Sequence, residues 1–357
     1  MFNAGRLSLA RARRGMTAKA LAERAGVGVD TITRLEKGRN EPEPETIDKL
    51  GEALSYPPSF FLGEDIEEVD IGAVSFRSFS KMTARERNAA IAAGSLGLLL
   101  NGWIEDRFGL PEPDFPEELS DETDPEVAAI RLRQHWGIGQ QPIGNLLGML
   151  ETKGIRTLSL SENTASVNAF SFWRGGKPYV FLNNFKSAES SRFDAAHELG
   201  HLVLHRHGDP KGDRSLEKEA NSFASAFLMP ADDVRSRVPR VISTEIILKA
   251  KLRWRVSAMA LAYRLHHIGR LSDWQYKSIC IDLSRRGYRS GEPIGIERET
   301  SVVWKKVLTL LWQEKVTRED IAGELGLPLD ELEGLIWSLA ASSAGPNTKA
   351  PTPLRAV

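Results

Sequence analysis

The sequence predicts a mostly helical α+β protein with three parts: a five-helix helix-turn-helix domain at the N-terminus, a central domain holding a small sheet, and a helical C-terminal region. Three observations carry this. Two short amphipathic segments meet at Gly26, three β-rich runs lie between residues 155 and 182, and apolar residues recur at helical spacing through much of the rest. The implied boundaries are 1–66 for the first domain, 67–122 for a helical connector and acidic linker, 123–235 for the central domain, 236–341 for the helical region and 342–357 for a disordered tail.

Residues 6–14 read as a basic amphipathic helix broken at Gly15. Thr17 stands as an N-cap for a short helix over 18–25, and Gly26 makes the turn. A third helix runs over about 29–37. With Leu21, Val27 and Ile32 as interior positions, this is a helix-turn-helix, and Pro42, Pro44 and residues 46–54 supply the closing helices. Residues 1–40 hold nine Lys/Arg against Glu23, Asp30 and Glu36, a net of +6 that favours a phosphate backbone. Val29, Asp30, Thr31 and Thr33 are placed to read base edges, and Lys19, Arg34, Lys37 and Arg39 to meet DNA beside them. A purely protein-binding helical domain is the plainer alternative.

Pro57-Pro58 ends that domain. Residues 83–108 form one long helix started by Thr83, with Ile91, Leu96, Leu99, Trp103 and Phe108 facing a core. Residues 110–122 are rich in proline and acid and read as an exposed linker. Asp124-Pro125 then opens another helix, Asp as cap and Pro in the first turn, and 142–151 forms the next. Strands over 155–160, 167–173 and 179–182 follow, the last two joined at Gly175-Gly176. An extended peptide would add to an exposed edge of such a sheet. Phe170, Phe172 and Trp173 serve as core in preference to substrate subsites.

The chemistry sits in His197-Glu198-Leu199-Gly200-His201. Two histidines four apart project from one helix face and can share a metal ion, and Glu198 between them is placed as a general base for a water. A third protein ligand is needed. His205 is excluded, since positions eight apart lie roughly 12 Å apart along a helix, so His205 and His207 read as helix-end or outer groups. The next helix, with Ala220, Phe223, Ala224, Phe227 and Leu228 on its apolar side, begins with two acids. Glu219 is the expected ligand and Glu217 the alternative.

His197-Glu-Leu-Gly-His201-Leu-Val-Leu-His205-Arg206, followed by Glu219-Ala-Asn221-x-Phe223-Ala224 and Leu228-Met229-Pro230, resembles the ImmA/IrrE zinc metallopeptidases, as does the preceding Lys177-Pro-Tyr-Val-Phe-Leu-Asn183. The resemblance implies a gluzincin-like zinc site of two histidines and a glutamate, a glutamate base, and a protein substrate. That substrate is a helix-turn-helix repressor whose cleavage derepresses stress-response or mobile-element genes. The first 62 residues are similar to the lambda-repressor/Cro-like domain of XRE-type regulators. They depart from its pattern at Ala18, where glutamine is usual, and at Asp30, an acid on the reading helix.

The remaining features set limits. Cys280 stands alone, so an internal disulfide and a cysteine zinc finger are both excluded and a reducing, cytoplasmic setting is expected. No leader-like start or membrane-length apolar run is seen, so no membrane partner is expected. Residues 235–290 carry thirteen Lys/Arg against three acids, suggesting an acidic partner or a second nucleic-acid contact, with a solvated surface as the alternative. Residues 316–332 imitate helix-turn-helix spacing without a basic face and read as packing or oligomerisation. The expected partners are therefore operator DNA and a protein substrate, with a homodimer on a palindromic site. A metal-stabilised transcription factor that cleaves nothing, or an antitoxin, would fit the same motifs.

Overall fold

The computed structural model describes residues 1–70, 74, 82–116, 119, 122–160, 169–183, 185–206 and 214–340. The first helices are α1 (Ala4–Arg13), α2 (Ala18–Ala25), α3 (Val29–Glu36) and α4 (Pro44–Leu54), closed by a 3₁₀ turn at Pro58–Leu62. Local chemistry accounts for them. The Ala20 amide donates to the Thr17 hydroxyl, and Gly26 ends α2 at a φ of 66°, a backbone that a side chain would strain. Leu7, Leu21, Ile32, Leu50 and Leu54 are buried where these helices meet, while Val27 is half-buried.

Next come α5 (Ala84–Glu105), α6 (Pro125–His135), α7 (Leu146–Thr152), β1 (Arg156–Leu160), β2 (Ala169–Arg174) and β3 (Lys177–Asn183). Thr83 and Glu86 form a capping box at the start of α5, and Asp124 caps α6. The strand order is β1-β3-β2, with β1 parallel and β2 antiparallel to the central strand. Gly175 and Gly176, both at positive φ, make the two-residue turn between β2 and β3.

Alternation along β2 positions the layers. Phe170 and Phe172 point to one face and Ser171 and Trp173 to the other. The two phenylalanines stack on Phe181, with centroids 4.7 and 5.9 Å away. On that side α5 approaches closely because residue 97 is glycine; a Cβ there would meet the Phe181 ring at 2.6 Å. The glycines that interrupt the apolar run of α5 are thus its contact with the sheet. On the opposite face lies α8 (Ala188–Leu204), where the Trp173 indole donates to the Leu202 carbonyl at 3.0 Å. The sheet is a middle layer between two helices.

Two expectations are corrected here. All of β1 and residues 169–172 of β2 are buried, so among the described residues no outer strand offers an open edge to a peptide beyond the last two residues of β2. The segment expected as an exposed linker is packed over its described part. Phe115 meets Trp136 and Trp173 edge-on, Asp114 pairs with Lys153 at 2.7 Å and with His135, and its carbonyl accepts the Trp136 indole. One aromatic anchor and one well-partnered acid outweigh the proline and acid around them. Residues 117, 118, 120 and 121, His207, and the tail 342–357 lie outside the described residues.

The rest is helical: α9 (Arg214–Leu228), α10 (Ala231–Arg237), α11 (Thr244–Trp254), α12 (Ala258–His267), α13 (Asp273–Arg285), α14 (Val302–Gln313), α15 (Arg318–Leu325) and α16 (Leu329–Ala340). No helix among the described residues is long and apolar enough to cross a membrane. Thr317 to Gly326 repeats the local design of Thr17 to Gly26: a threonine cap, an eight-residue helix and a glycine at φ 66°. Its second helix is packed inside the fold. α16 lies against β1, with the Ser159 hydroxyl donating to the Gly334 carbonyl at 2.5 Å, and Leu325, Leu327 and Leu332 are buried. This is the packing role expected of residues 316–332.

The acidic start of α16 holds the N-terminal domain in place. Arg13 meets Glu331 at 2.7 Å, and Arg14 meets Glu331 at 2.9 Å and Asp330 at 3.1 Å. Glu331 is 3% exposed and Asp330 65%, and that difference decides their worth. Replacing Glu331 by Ala removes the buried carboxylate that both guanidiniums share and should lower stability by about 3–5 kcal/mol in chemical denaturation. Asp330→Ala should cost under about 1 kcal/mol. Equal effects would show that the junction does not depend on the buried carboxylate.

Candidate metal centre and nucleic-acid face

The site begins with how α8 is held. The Ser190 amide donates to the Ser187 hydroxyl at the helix start. In the first turn, Glu189 is buried against Lys251 of α11 at 3.2 Å, and that ammonium also meets Glu292 at 2.8 Å. Farther along, α8 and α9 come together at Gly200. A Cβ there would lie 3.1 Å from the Phe223 ring and 3.2 Å from the Ala220 backbone. Ala220, Phe223, Ala224, Phe227 and Leu228 are buried, as the periodicity of α9 predicts.

One helical turn puts His197 and His201 side by side, their Nε2 atoms 3.1 Å apart. Glu217, in the first turn of α9, bridges them: Oε2 is 3.3 Å from His197 Nε2 and Oε1 is 3.4 Å from His201 Nε2. Glu219, the expected third ligand, lies elsewhere, with its carboxylate 3.1 Å from His205 Nε2. The reason is helical phase. Two residues along a helix is about 200° of rotation, so the two acids cannot face the same point. A signal was available: Glu217 stands three residues before Ala220 and seven before Ala224, in phase with the middle of the apolar stripe that packs on α8.

The contact with Asn221 selects one tautomer for a neutral His197. His197 Nδ1 faces the Asn221 side-chain oxygen at 3.1 Å, an acceptor, so Nδ1 holds the hydrogen and Nε2 a lone pair. Two imidazole nitrogens and a carboxylate therefore converge within 3.4 Å. That arrangement is repulsive unless a proton or a metal ion lies between them. Ligand atoms roughly 2.0–2.2 Å from a tetrahedral ion stand about 3.3–3.6 Å apart, close to the three separations here. His197, His201 and Glu217 are thus a group that can hold a metal ion.

In place of a metal ion, protons on the imidazoles can meet the Glu217 carboxylate. Burial disfavours a charge on His197, but the Glu217 hydrogen bond and the charges of Glu198 and Glu217 outweigh it and raise its pKa. Burial also works against the charge on Glu217, yet hydrogen bonds from both imidazoles hold it well below the usual carboxylate range. For His205 burial prevails over its partner Glu219 and lowers the pKa, keeping that ring neutral. Glu198 is 3% exposed and accepts the Ser171 hydroxyl from β2 at 2.7 Å. Sequence reasoning did not single out Ser171; it becomes legible only once strand alternation points it at α8.

The N-terminal basic patch is smaller than its sum. Arg6 is buried and donates to the Glu64 and Phe60 carbonyls, Arg11 pairs with Glu36 at 2.5 Å, and Arg13 and Arg14 are spent on α16. Lys19, Arg24, Arg34, Lys37 and Arg39 stay exposed, as do Val29, Asp30 and Thr31 at the start of α3. Thr33 is half-buried and its hydroxyl donates to the Val29 carbonyl at 3.1 Å. The C-terminal basic excess is also mostly internal. Arg253 and Arg237 pair with Asp233, Arg264 with Glu126, and Arg286 with Glu245 and Asp282. Arg240, Lys249, Lys277, Arg285 and Arg289 make no ion pair among the described residues.

A bulky residue at position 200 should separate the two halves of the site. Gly200→Leu is expected to cost about 1–3 kcal/mol by overpacking and to lose bound metal, read by elemental analysis and thermal melting. Gly200→Ala, needing only a few tenths of an ångström, should do so more weakly. Full metal content in the leucine variant would contradict the role given to this contact.

Comparison with known families agrees with this division. Residues 150–266 match the model of peptidase family M78, the IrrE N-terminal-like domain, and residues 7–61 match a helix-turn-helix model. The chain thus joins an XRE-type helix-turn-helix domain to an IrrE-like domain. No curated protein matches it.

Proposed function

We propose that this chain is a DNA-binding regulator whose IrrE-like domain is a zinc-dependent endopeptidase. The observation that carries the reading is the convergence of His197, His201 and Glu217 beside the buried carboxylate of Glu198. Bound there, zinc would polarise a scissile carbonyl and acidify a water. Glu198 takes the proton of the attacking water and returns it to the leaving amine. Ser171 holds that carboxylate by its hydroxyl, so its orientation is set before substrate arrives. The substrate class that fits the family resemblance is a repressor protein.

Glu198→Gln tests the base. The variant should fold and bind zinc as the wild type does and lose proteolysis by at least about 100-fold. The comparison is of new protein N-termini in cells carrying each form. Equal sets of new termini in the presence of full zinc would overturn the peptidase. They would favour a second reading that one observation also supports: His197, Glu198 and His201 are each at most 8% exposed. A closed site of that kind suits a metal-stabilised regulator that cuts nothing.

On the DNA side, α3 presents Val29, Asp30, Thr31 and Thr33 to base edges, and Lys19, Arg34, Lys37 and Arg39 to phosphates, on a palindromic site bound by a dimer. Lys37→Ala and Arg39→Ala should each weaken binding to any sequence and reduce the salt dependence of log Kd by about 1. Arg13→Ala, whose side chain faces α16, should leave that slope unchanged. An altered slope for Arg13 alone would move the phosphate contacts to α1.

A further inference from the structure

A line of three side chains runs away from the metal cluster. His201 Nδ1 lies 2.9 Å from His205 Nδ1, and His205 Nε2 lies 3.1 Å from the Glu219 carboxylate. Its direction follows from the inventory of donors and acceptors. A carboxylate only accepts, so His205 carries its hydrogen on Nε2 and offers a lone pair at Nδ1. That lone pair can be met only by a hydrogen on His201 Nδ1. His201 must then present a lone pair at Nε2, the atom that faces His197 and Glu217.

We propose that Glu219 and His205 are positioning residues that fix the tautomer and ring orientation of His201, and so set the affinity of the cluster for a divalent metal. This rests on reading the cluster as a metal centre. Asn221 does the same for His197 in one step, through Nδ1 at 3.1 Å. Among the described residues His201 Nδ1 meets a second ring, His205, and through it an anchoring carboxylate. The arrangement also assigns work to both acids near the start of α9: Glu217 faces the cluster, and Glu219 reaches the His201 ring through His205. Outer hydrogen-bond partners of metal-bound histidines commonly raise affinity in this way.

The test measures metal binding by the full-length chain, stripped by chelator, in competition with a chromophoric chelator. Zinc gives the affinity, and cobalt(II) gives a visible absorption spectrum that reports the ligand set. Glu219→Ala should weaken zinc binding by about 10–100-fold while keeping the wild-type form of the cobalt spectrum at saturation. Glu219→Gln, whose amide oxygen can accept the same hydrogen, should recover most of the loss. Glu217→Ala should lose more affinity and change the spectrum. Because the Glu219 side chain is 37% exposed, its removal is not a core mutation, and circular dichroism checks the fold. Wild-type affinity in Glu219→Ala would overturn the proposal. A changed spectrum there, with an unchanged one in Glu217→Ala, would overturn it by making Glu219 the ligand. A wild-type chain that takes up neither ion would overturn the metal centre itself, a result distinct from either.

Discussion

The central domain depends on one close approach, α8 against α9 at Gly200. Only a residue without a Cβ lets the Ala220 backbone and the Phe223 ring lie within about a van der Waals contact of α8. That spacing brings a carboxylate on one helix to two imidazoles on the other. It also creates the electrostatic tension of the site, because all three groups offer lone pairs to the same point. A proton or a metal ion there offsets that tension, and the surrounding framework holds the three groups together. Glu189, Lys251 and Glu292 pin the start of α8, Trp173 holds the Leu202 carbonyl, and α5 backs the sheet from the far side.

The same residue types serve unlike ends according to what faces them. Arg13 and Arg14 sit in a basic helix, but Glu331, buried on α16, takes up their charge. Arg34, Lys37 and Arg39 have no such neighbours and keep their charge at the surface. The two helix-turn-helix units make the point again. Their caps and turns are alike down to the φ of the glycine. One presents α3 to solvent and the other packs α16 on β1. Which does which follows from composition: Asp330, Glu331 and Glu333 would repel phosphates, and the leucines around them demand burial.

What could be read from the sequence was local. Thr17 with Gly26, Asp124 with Pro125, and Gly175 with Gly176 each carry their own physics, and each stands where that physics puts it. The pair of histidines was legible for the same reason, since i and i+4 fix a face. Phase was harder to use. Glu217 and Glu219 differ by two residues, and only the spacing of Glu217 to Ala220 and Ala224 says which one points at the neighbouring helix. Charge sums failed similarly, because Arg264 and Glu126 are 138 residues apart in sequence and meet only in the fold. The segment near Asp114 was misread because composition counts prolines and acids, whereas packing turned on Phe115 and on the partners of one carboxylate.

These contacts also bear on how the two domains stand to each other. From α1, Arg13 and Arg14 reach α16; from α16, Gly334 is held by Ser159 on β1; β1 pairs with β3, and β3 with β2, where Ser171 holds Glu198. Each link is a hydrogen bond, a buried ion pair or a strand register, and none is a flexible tether. α5 runs alongside, touching α1 at one end and the sheet at the other. A connection of this kind does not by itself make the two sites communicate, because energetic coupling requires an element with two alternative states. Its consequence is geometric. α1 and the metal cluster are joined through packed elements, by way of α16 and the sheet.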